Sequence, residues 1–108
     1  MSLFVIIGHD VAGSLEARKA TREEHLVRLR KLDEEKRLVI AGPTPVEHGA
    51  PEMSGSIIIA KFDSLNDAQD WASAEPYLRE GVYSHVDIKP FLQTLPAPTQ
   101  PSEPSEPS

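Results

Sequence analysis

Apolar residues in this chain fall into short runs that predict strands and into longer stretches with helical spacing. In the first run Leu3, Val5 and Ile7 point one way and Phe4 and Ile6 the other, so the predicted strand, Leu3 to Asp10, is apolar on both faces. The Ile57 to Ile59 run has the same character. Such strands lie in the middle of a sheet that is covered on both sides.

The longest amphipathic stretch follows the first strand. Thr21 and Glu24 form a capping box, which predicts a helix beginning at Arg22. Val11 to Ala20 is predicted to be a connection, with a short helical turn capped by Ser14. If the helix ran unbroken from Ser14, one side of it would hold Arg18, Arg22 and His25.

The remaining segments alternate between strand and helix patterns. They predict strands at Arg37–Gly42, Gly55–Phe62 and Val82–Phe91, a long loop at Pro43–Ser54, and a helix capped by Ser64 and ended by Pro76. The order strand, helix, strand, strand, helix, strand predicts an α+β, ferredoxin-like βαββαβ fold with an antiparallel four-stranded sheet. Two helices cover only one face of that sheet. We therefore expect a homodimer, a dimeric α+β barrel, in which the second faces pack together.

Composition separates a domain from a tail and limits the classes of binding partner. Residues 1–92 are predicted to form the domain, and 93–108 form a Pro/Ser/Glu-rich tail that is expected to be disordered or extended. The net charge of −6 argues against nucleic acid and anionic membranes as partners. The absence of cysteine excludes disulfides and thiol catalysis. No apolar run is long enough for a signal peptide or a membrane span, so we expect a cytoplasmic protein.

Two segments together resemble a known family. HDVAGSLEARKATREEHLVRLRKLDEEKRLVIAGPTP and EPYLREGVYSHVDIKPF resemble the YCII-related proteins, small dimeric α+β barrels akin to muconolactone isomerase. The resemblance covers Leu3 to about Leu92 and implies an active site built from His25 and Asp10. One branch of that family removes chloride from a chlorinated hydroquinone. Where the family more often has Asp-Pro-Tyr, this chain has a glutamate, Glu75, one methylene longer.

The histidine and the aspartate each have a catalytic and an ordinary interpretation. His25 could act as a general acid or base, or be a half-buried helix histidine bonded to backbone. Asp10 ends the first strand near the start of the helix, where it could orient the His25 ring, or it could be a turn aspartate.

Other candidates would bind the substrate. Arg18 and Arg22 could clamp a carboxylate or phenolate, or form surface ion pairs. Tyr83 and His85 are predicted to share one face of the last strand, lining the same cavity or the subunit interface. His9 and His48 are expected in solvent. Because no two histidines share a short ligand spacing, no metal site is predicted, and no phosphate loop or dinucleotide motif indicates a cofactor.

These residues predict a cofactor-free enzyme. His25, oriented by Asp10, would move a proton during isomerisation or elimination on a small anionic substrate held by Arg18 and Arg22. The alternatives are a non-catalytic ligand-binding or accessory dimer, and cofactor-free oxygenation, which is known on related barrels. All of them would use the same side chains, so the sequence leaves the choice open.

Overall fold

The computed structural model describes residues 1–98. Of the tail predicted at 93–108, residues 93–98 form neither helix nor strand, and the remainder lies outside the described residues. The described residues form four strands and three helices. Their order is β1 (Ser2–Asp10), α1 (Leu15–Glu34), β2 (Leu38–Pro45), β3 (Met53–Phe62), α2 (Leu65–Ser73), α3 (Pro76–Arg79) and β4 (Tyr83–Phe91). The sheet has the order β2-β3-β1-β4, with antiparallel pairing throughout. This is the predicted ferredoxin-like α+β fold. Within residues 1–98, no helix is both long and apolar enough to cross a membrane.

Helix α1 is longer than the sequence pattern predicted. It runs unbroken from its N-cap at Ser14, whose carbonyl accepts a hydrogen bond from the Arg18 backbone N–H at 2.9 Å. The predicted start at Arg22 is wrong because residues 15–20, LEARKA, are all good helix formers and nothing interrupts them. Thr21 is consequently an internal, buried residue rather than a cap. The longer helix buries Arg18 and His25 on one side and leaves Arg22 exposed.

The other boundaries differ by a few residues. Strands β2 and β3 continue to Pro45 and from Met53, so the loop between them is shorter than the predicted Pro43–Ser54. Ser64 caps α2 as predicted, accepting a hydrogen bond from the Asp67 backbone N–H at 3.1 Å. Helix α2 ends before Pro76, which instead opens the short helix α3, a position that suits proline.

A β-bulge in β4 places His85, one of the predicted site residues, on the face of the sheet away from the helices. Asp10 pairs with Tyr83 and His9 pairs with His85, so Ser84 is an extra residue on β4. The alternation of side chains therefore reverses across Ser84. Tyr83 is buried under the helices, whereas His85 lies exposed with His9 on the opposite face, and the predicted shared face of Tyr83 and His85 is wrong.

The two faces of the sheet differ in their covering. The face under the helices holds the core, formed by Phe4, Ile6, Ile58, Ala60 and Phe62 from the sheet together with Leu29, Leu32, Ala68 and Ala72 from the helices. The other face is also apolar but open: Ile40 is 62% exposed and Ile57 and Phe91 are each 39% exposed.

Two glycines allow β1 to approach its neighbours closely. A Cβ at Gly55 would overlap the Gly8 carbonyl oxygen, and a Cβ at Gly8 would overlap the Tyr83 ring. Both glycines border the buried residues that form the candidate site. The close strand packing there consequently depends on the absence of a side chain.

We expect Gly55→Ala to lower the free energy of unfolding by about 2–3 kcal/mol, because the added methyl group meets backbone that cannot move aside. Gly42→Ala is the matched control, since a Cβ at Gly42 on β2 meets nothing within 4 Å. That control should change stability by less than about 0.5 kcal/mol. Urea denaturation measures both, and equal losses in the two variants would contradict the packing described.

Candidate active site

An ion pair between Arg18 and Asp10 fixes the end of β1 to α1. Arg18 donates from Nε to Asp10 Oδ2 at 2.8 Å and from Nη2 to Oδ1 at 3.0 Å, and both side chains are at least nine-tenths buried. Nη2 also donates to the Gly55 carbonyl oxygen and to Ser56 Oγ. Burial alone would lower the pKa of Arg18. The hydrogen bond to Asp10 and the charge of Asp10 raise that pKa by more, so the pKa is raised overall. Because both charges are buried and paired, removing either partner would strongly destabilise the fold.

A second buried group of hydrogen bonds surrounds His25. Its Nδ1 lies 2.5 Å from Glu75 Oε1, and the exposed fractions of the two side chains are 7% and 2%. The other carboxylate oxygen, Oε2, accepts a hydrogen bond from Arg28 Nη1 at 2.6 Å. Because a carboxylate paired with arginine accepts hydrogen bonds and does not donate them, Nδ1 is the protonated nitrogen. Among the described residues, Nε2 has no hydrogen-bond partner, and in the neutral ring it is the nitrogen with the lone pair.

Arg28 holds Glu75 in place. Its Nη2 donates to the Trp71 carbonyl oxygen at 2.6 Å, and its guanidinium lies 4.1 Å from the centre of the Trp71 ring. The charge on Glu75 is thereby balanced by a cation that is itself anchored on α2. The carboxylate is fixed before any substrate binds.

The structure corrects the predicted partner of His25. The carboxylate that contacts its ring is Glu75, and both oxygens of Asp10 are bonded to Arg18 instead. The physical reason is the early start of α1, which places Arg18 beside the end of β1 two turns before His25. The available signal for Glu75 was its position directly before Pro76, at the N-cap of α3.

Tyr77 lies between His25 and the ion pair of Arg18 with Asp10. Its ring stacks on His25 with 4.3 Å between centroids and a 20° angle between planes, and the Arg18 guanidinium lies 4.7 Å from its centre. Burial raises the pKa of Tyr77, and the positive charges of Arg18 and Arg22 act in the opposite direction. The stacking restrains the imidazole plane, so the Nε2 direction is set by packing as well as by hydrogen bonding.

Tyr83 supplies a buried hydroxyl without a partner. Its ring meets Tyr77 edge-on at 5.2 Å, and within residues 1–98 the hydroxyl makes no hydrogen bond. Burial raises the pKa of Tyr83 well above its usual value. The neighbouring Ser56 hydroxyl acts in the opposite direction on that pKa, and its oxygen also accepts a hydrogen bond from Arg18. A neutral donor is left beside the site.

Arg22 and His85 have very different surroundings. Arg22 is exposed, precedes His25 by about one turn of α1, and has no ion pair among the described residues. Its charge still acts on Tyr77. His85 is on the far face of the sheet. The structure therefore brings together His25, Arg18, Asp10, Arg22 and Tyr83, adds Glu75, Arg28 and Tyr77, and leaves His85 out.

Comparison with known proteins identifies relatives along the whole domain. The model of the YCII-related domain matches residues 2–92. Protein YciI of Escherichia coli O6:H1 is 50% identical over 93 residues, which cover 82% of this chain and 95% of that protein. An uncharacterized protein of Haemophilus influenzae is 45% identical over 92 residues, covering 82% and 94%.

Solved structures share the fold. The 5-chloro-2-hydroxyhydroquinone dehydrochlorinase TftG from Burkholderia phenoliruptrix, in complex with 2,5-dihydroxybenzoquinone, superposes with a TM-score of 0.76 at 23% identity, covering 85% of this chain and 95% of that one. A NIPSNAP domain protein from Burkholderia xenovorans gives 0.51 at 14% identity, covering 91% and 99%. At these identities the likeness establishes the fold alone.

The buried tyrosines predict a loss of stability in alkali. Their pKa values are raised in the folded chain, so above about pH 10 the unfolded chain releases protons that the folded chain retains. The Tyr83 contribution to stability is complete below pH 10 and declines by about 1 kcal/mol per pH unit above it. Tyr83→Phe should remove that contribution and, by deleting an unpaired buried hydroxyl, stabilise the fold by about 1 kcal/mol at pH 7. Urea denaturation between pH 7 and 11 measures both, and an unchanged alkaline slope would contradict the burial described.

Proposed function

The chain belongs to the YCII-related family, and on that premise we propose that it is a cofactor-free enzyme whose acid–base group is His25, oriented by Glu75. The observation that supports this most strongly is the 2.5 Å contact between His25 Nδ1 and Glu75 Oε1, which leaves Nε2 as the available base. A carboxylate that fixes the ring through Nδ1 is the arrangement that histidine-based catalytic triads use. Glu75 takes the orienting role that the sequence assigned to Asp10, and Asp10 positions Arg18.

The proposed reaction starts with proton removal beside a carbonyl or phenolic oxygen. Nε2 of His25 takes the proton, and the electron pair of the broken bond moves toward that oxygen. The pair then either expels a leaving anion from a neighbouring atom or returns to a proton elsewhere on the substrate. Glu75 stabilises the imidazolium that forms, as the carboxylate does in histidine-based triads.

Three groups favour an anionic substrate. Among residues 1–98, Arg22 is an exposed cation without an ion pair about one turn from His25, and the Tyr83 hydroxyl is a buried donor without a hydrogen bond. Nη1 of Arg18 also has no partner among the described residues, although the rest of that guanidinium is engaged. Preorganised donors of this kind stabilise negative charge as it develops on an oxygen. Small hydroxylated or quinonoid rings have such charge, and the name of the dehydrochlorinase TftG points to the same class.

We propose that the working form is a homodimer formed through the open face of the sheet. That face exposes Ile40, Ile57 and Phe91, which flank partly exposed residues of β1. A contiguous apolar surface of this kind is unusual on a monomer. Packing two such faces together would cover them without closing the side of the sheet that holds His25.

Chloride release from 5-chloro-2-hydroxyhydroquinone tests the proposal. The wild-type chain should release chloride, and His25→Ala should lower kcat by about 10²–10⁴-fold because the base is lost. Glu75→Gln should lower kcat by about 10-fold or more with little change in KM, since it removes the charge that stabilises the imidazolium. Arg22→Gln should instead raise KM.

The matched control is His48→Ala, which removes an exposed histidine from the loop between β2 and β3 and should leave kcat unchanged. Chloride release that survives His25→Ala would contradict the assignment. Binding of the compound without release, retained in His25→Ala, would identify a ligand-binding protein instead.

A further inference from the structure

Three side chains that the proposed reaction does not use converge on the open face of the sheet. One potential ligand atom from each of His9, His85 and Asp87 lies within 4.8 Å of the others. His9 Nε2 is 2.7 Å from Asp87 Oδ2, and the two imidazole rings stack with 4.3 Å between centroids and 8° between planes. These residues form what we call the outer cluster.

The strand register explains why residues so distant in sequence meet. His9 on β1 pairs directly with His85 on β4, and Asp87 follows two residues later on the same face. The bulge at Ser84 is needed for this placement, because without it His85 would lie on the helix side. A cross-strand histidine pair with a carboxylate beside it presents three ligands from two rigid strands.

Ser84 holds the ring of His85 in place. Its hydroxyl oxygen lies 2.8 Å from His85 Nδ1 and 3.3 Å from the His9 carbonyl oxygen. When the hydroxyl donates to that carbonyl it accepts from Nδ1, and Nε2 of His85 is then the nitrogen with the lone pair. A second hydrogen bond of this kind is the usual support of a metal-binding histidine.

We propose that the outer cluster binds a divalent transition metal ion such as Zn²⁺. Two imidazole nitrogens and one carboxylate oxygen are a donor set that suits zinc, nickel or copper better than magnesium or calcium. The ion would replace the proton shared by His9 and Asp87. It would also hold together the two stacked imidazole rings, which would repel each other if both were protonated.

The ordinary alternative is an exposed ion pair next to an incidental ring stack. That interpretation accounts for the contact of His9 with Asp87, but it gives no role to the His85 ring, which is held by Ser84 and by the stack on His9. Three protein ligands leave coordination positions for water or for a group from a second subunit packed on this face. The proposal is independent of the proposed function, because the outer cluster and His25 are on opposite faces of the sheet.

Calorimetric titration of the full-length, tag-free chain with Zn²⁺ tests the proposal. The wild-type chain should bind in a saturable manner, and His85→Ala and Asp87→Asn should each weaken binding by at least about 10-fold. His48→Ala is the matched control for an exposed histidine outside the cluster, and His25→Ala is the control for the candidate active site. Both controls should bind as the wild type does.

A second measurement separates lost binding from lost folding. In histidine NMR spectra of the wild-type chain, Zn²⁺ should shift the imidazole signals of His9 and His85 and leave those of His25 and His48 in place. Absent binding, binding that persists in His85→Ala, or a shift of the His25 signals alone would each overturn the proposal.

Discussion

The structure depends on a carboxylate that is almost completely buried. Glu75 is 2% exposed, and an ionised group at such a position costs several kcal/mol unless its charge is balanced. Two residues of α1 provide the compensation: Arg28 places its positive charge at Oε2, and His25 donates a hydrogen bond to Oε1. The neutralised Glu75 ties the long helix to the start of α3, and the same contact orients the imidazole. The same interaction therefore stabilises the fold and fixes the position of the imidazole ring.

The second ion pair works differently. Arg18 and Asp10 satisfy each other on two sides and are reinforced by Ser56 and Gly55, so little of the guanidinium remains for a substrate. Tyr77 lies between this pair and His25. The result is a buried region with balanced charges in which Nε2 of His25 has no hydrogen-bond partner among the described residues, about one turn of α1 from the exposed cation Arg22. A site of this kind needs few residues because the ring is held by packing and bonding on its other sides.

The sequence predicted the architecture well because hydrophobic periodicity is a local property. Periodicity predicted the strands and the order of the elements. The capping of α2 by Ser64 followed from the equally local preference of serine for helix N-termini. The errors have longer-range causes. Thr21 resembled a cap, but the preceding segment was helical in its own right. The partner of Asp10 depended on that extra length of helix, and the pairing of His25 with Glu75 spans 50 residues. The meeting of His9 with His85 required both the strand register and a one-residue bulge, neither of which is visible in spacing along the chain.

The tautomer of His25 is the most direct test of this account. Long-range ¹H–¹⁵N NMR of the imidazole, recorded where the ring is neutral, distinguishes a protonated Nδ1 from a protonated Nε2. We predict a proton on Nδ1, with the signal altered in Glu75→Gln and unaltered in a folded Asp10→Asn variant. A neutral ring with its proton on Nε2, or a signal that responds to Asp10 and not to Glu75, would contradict it.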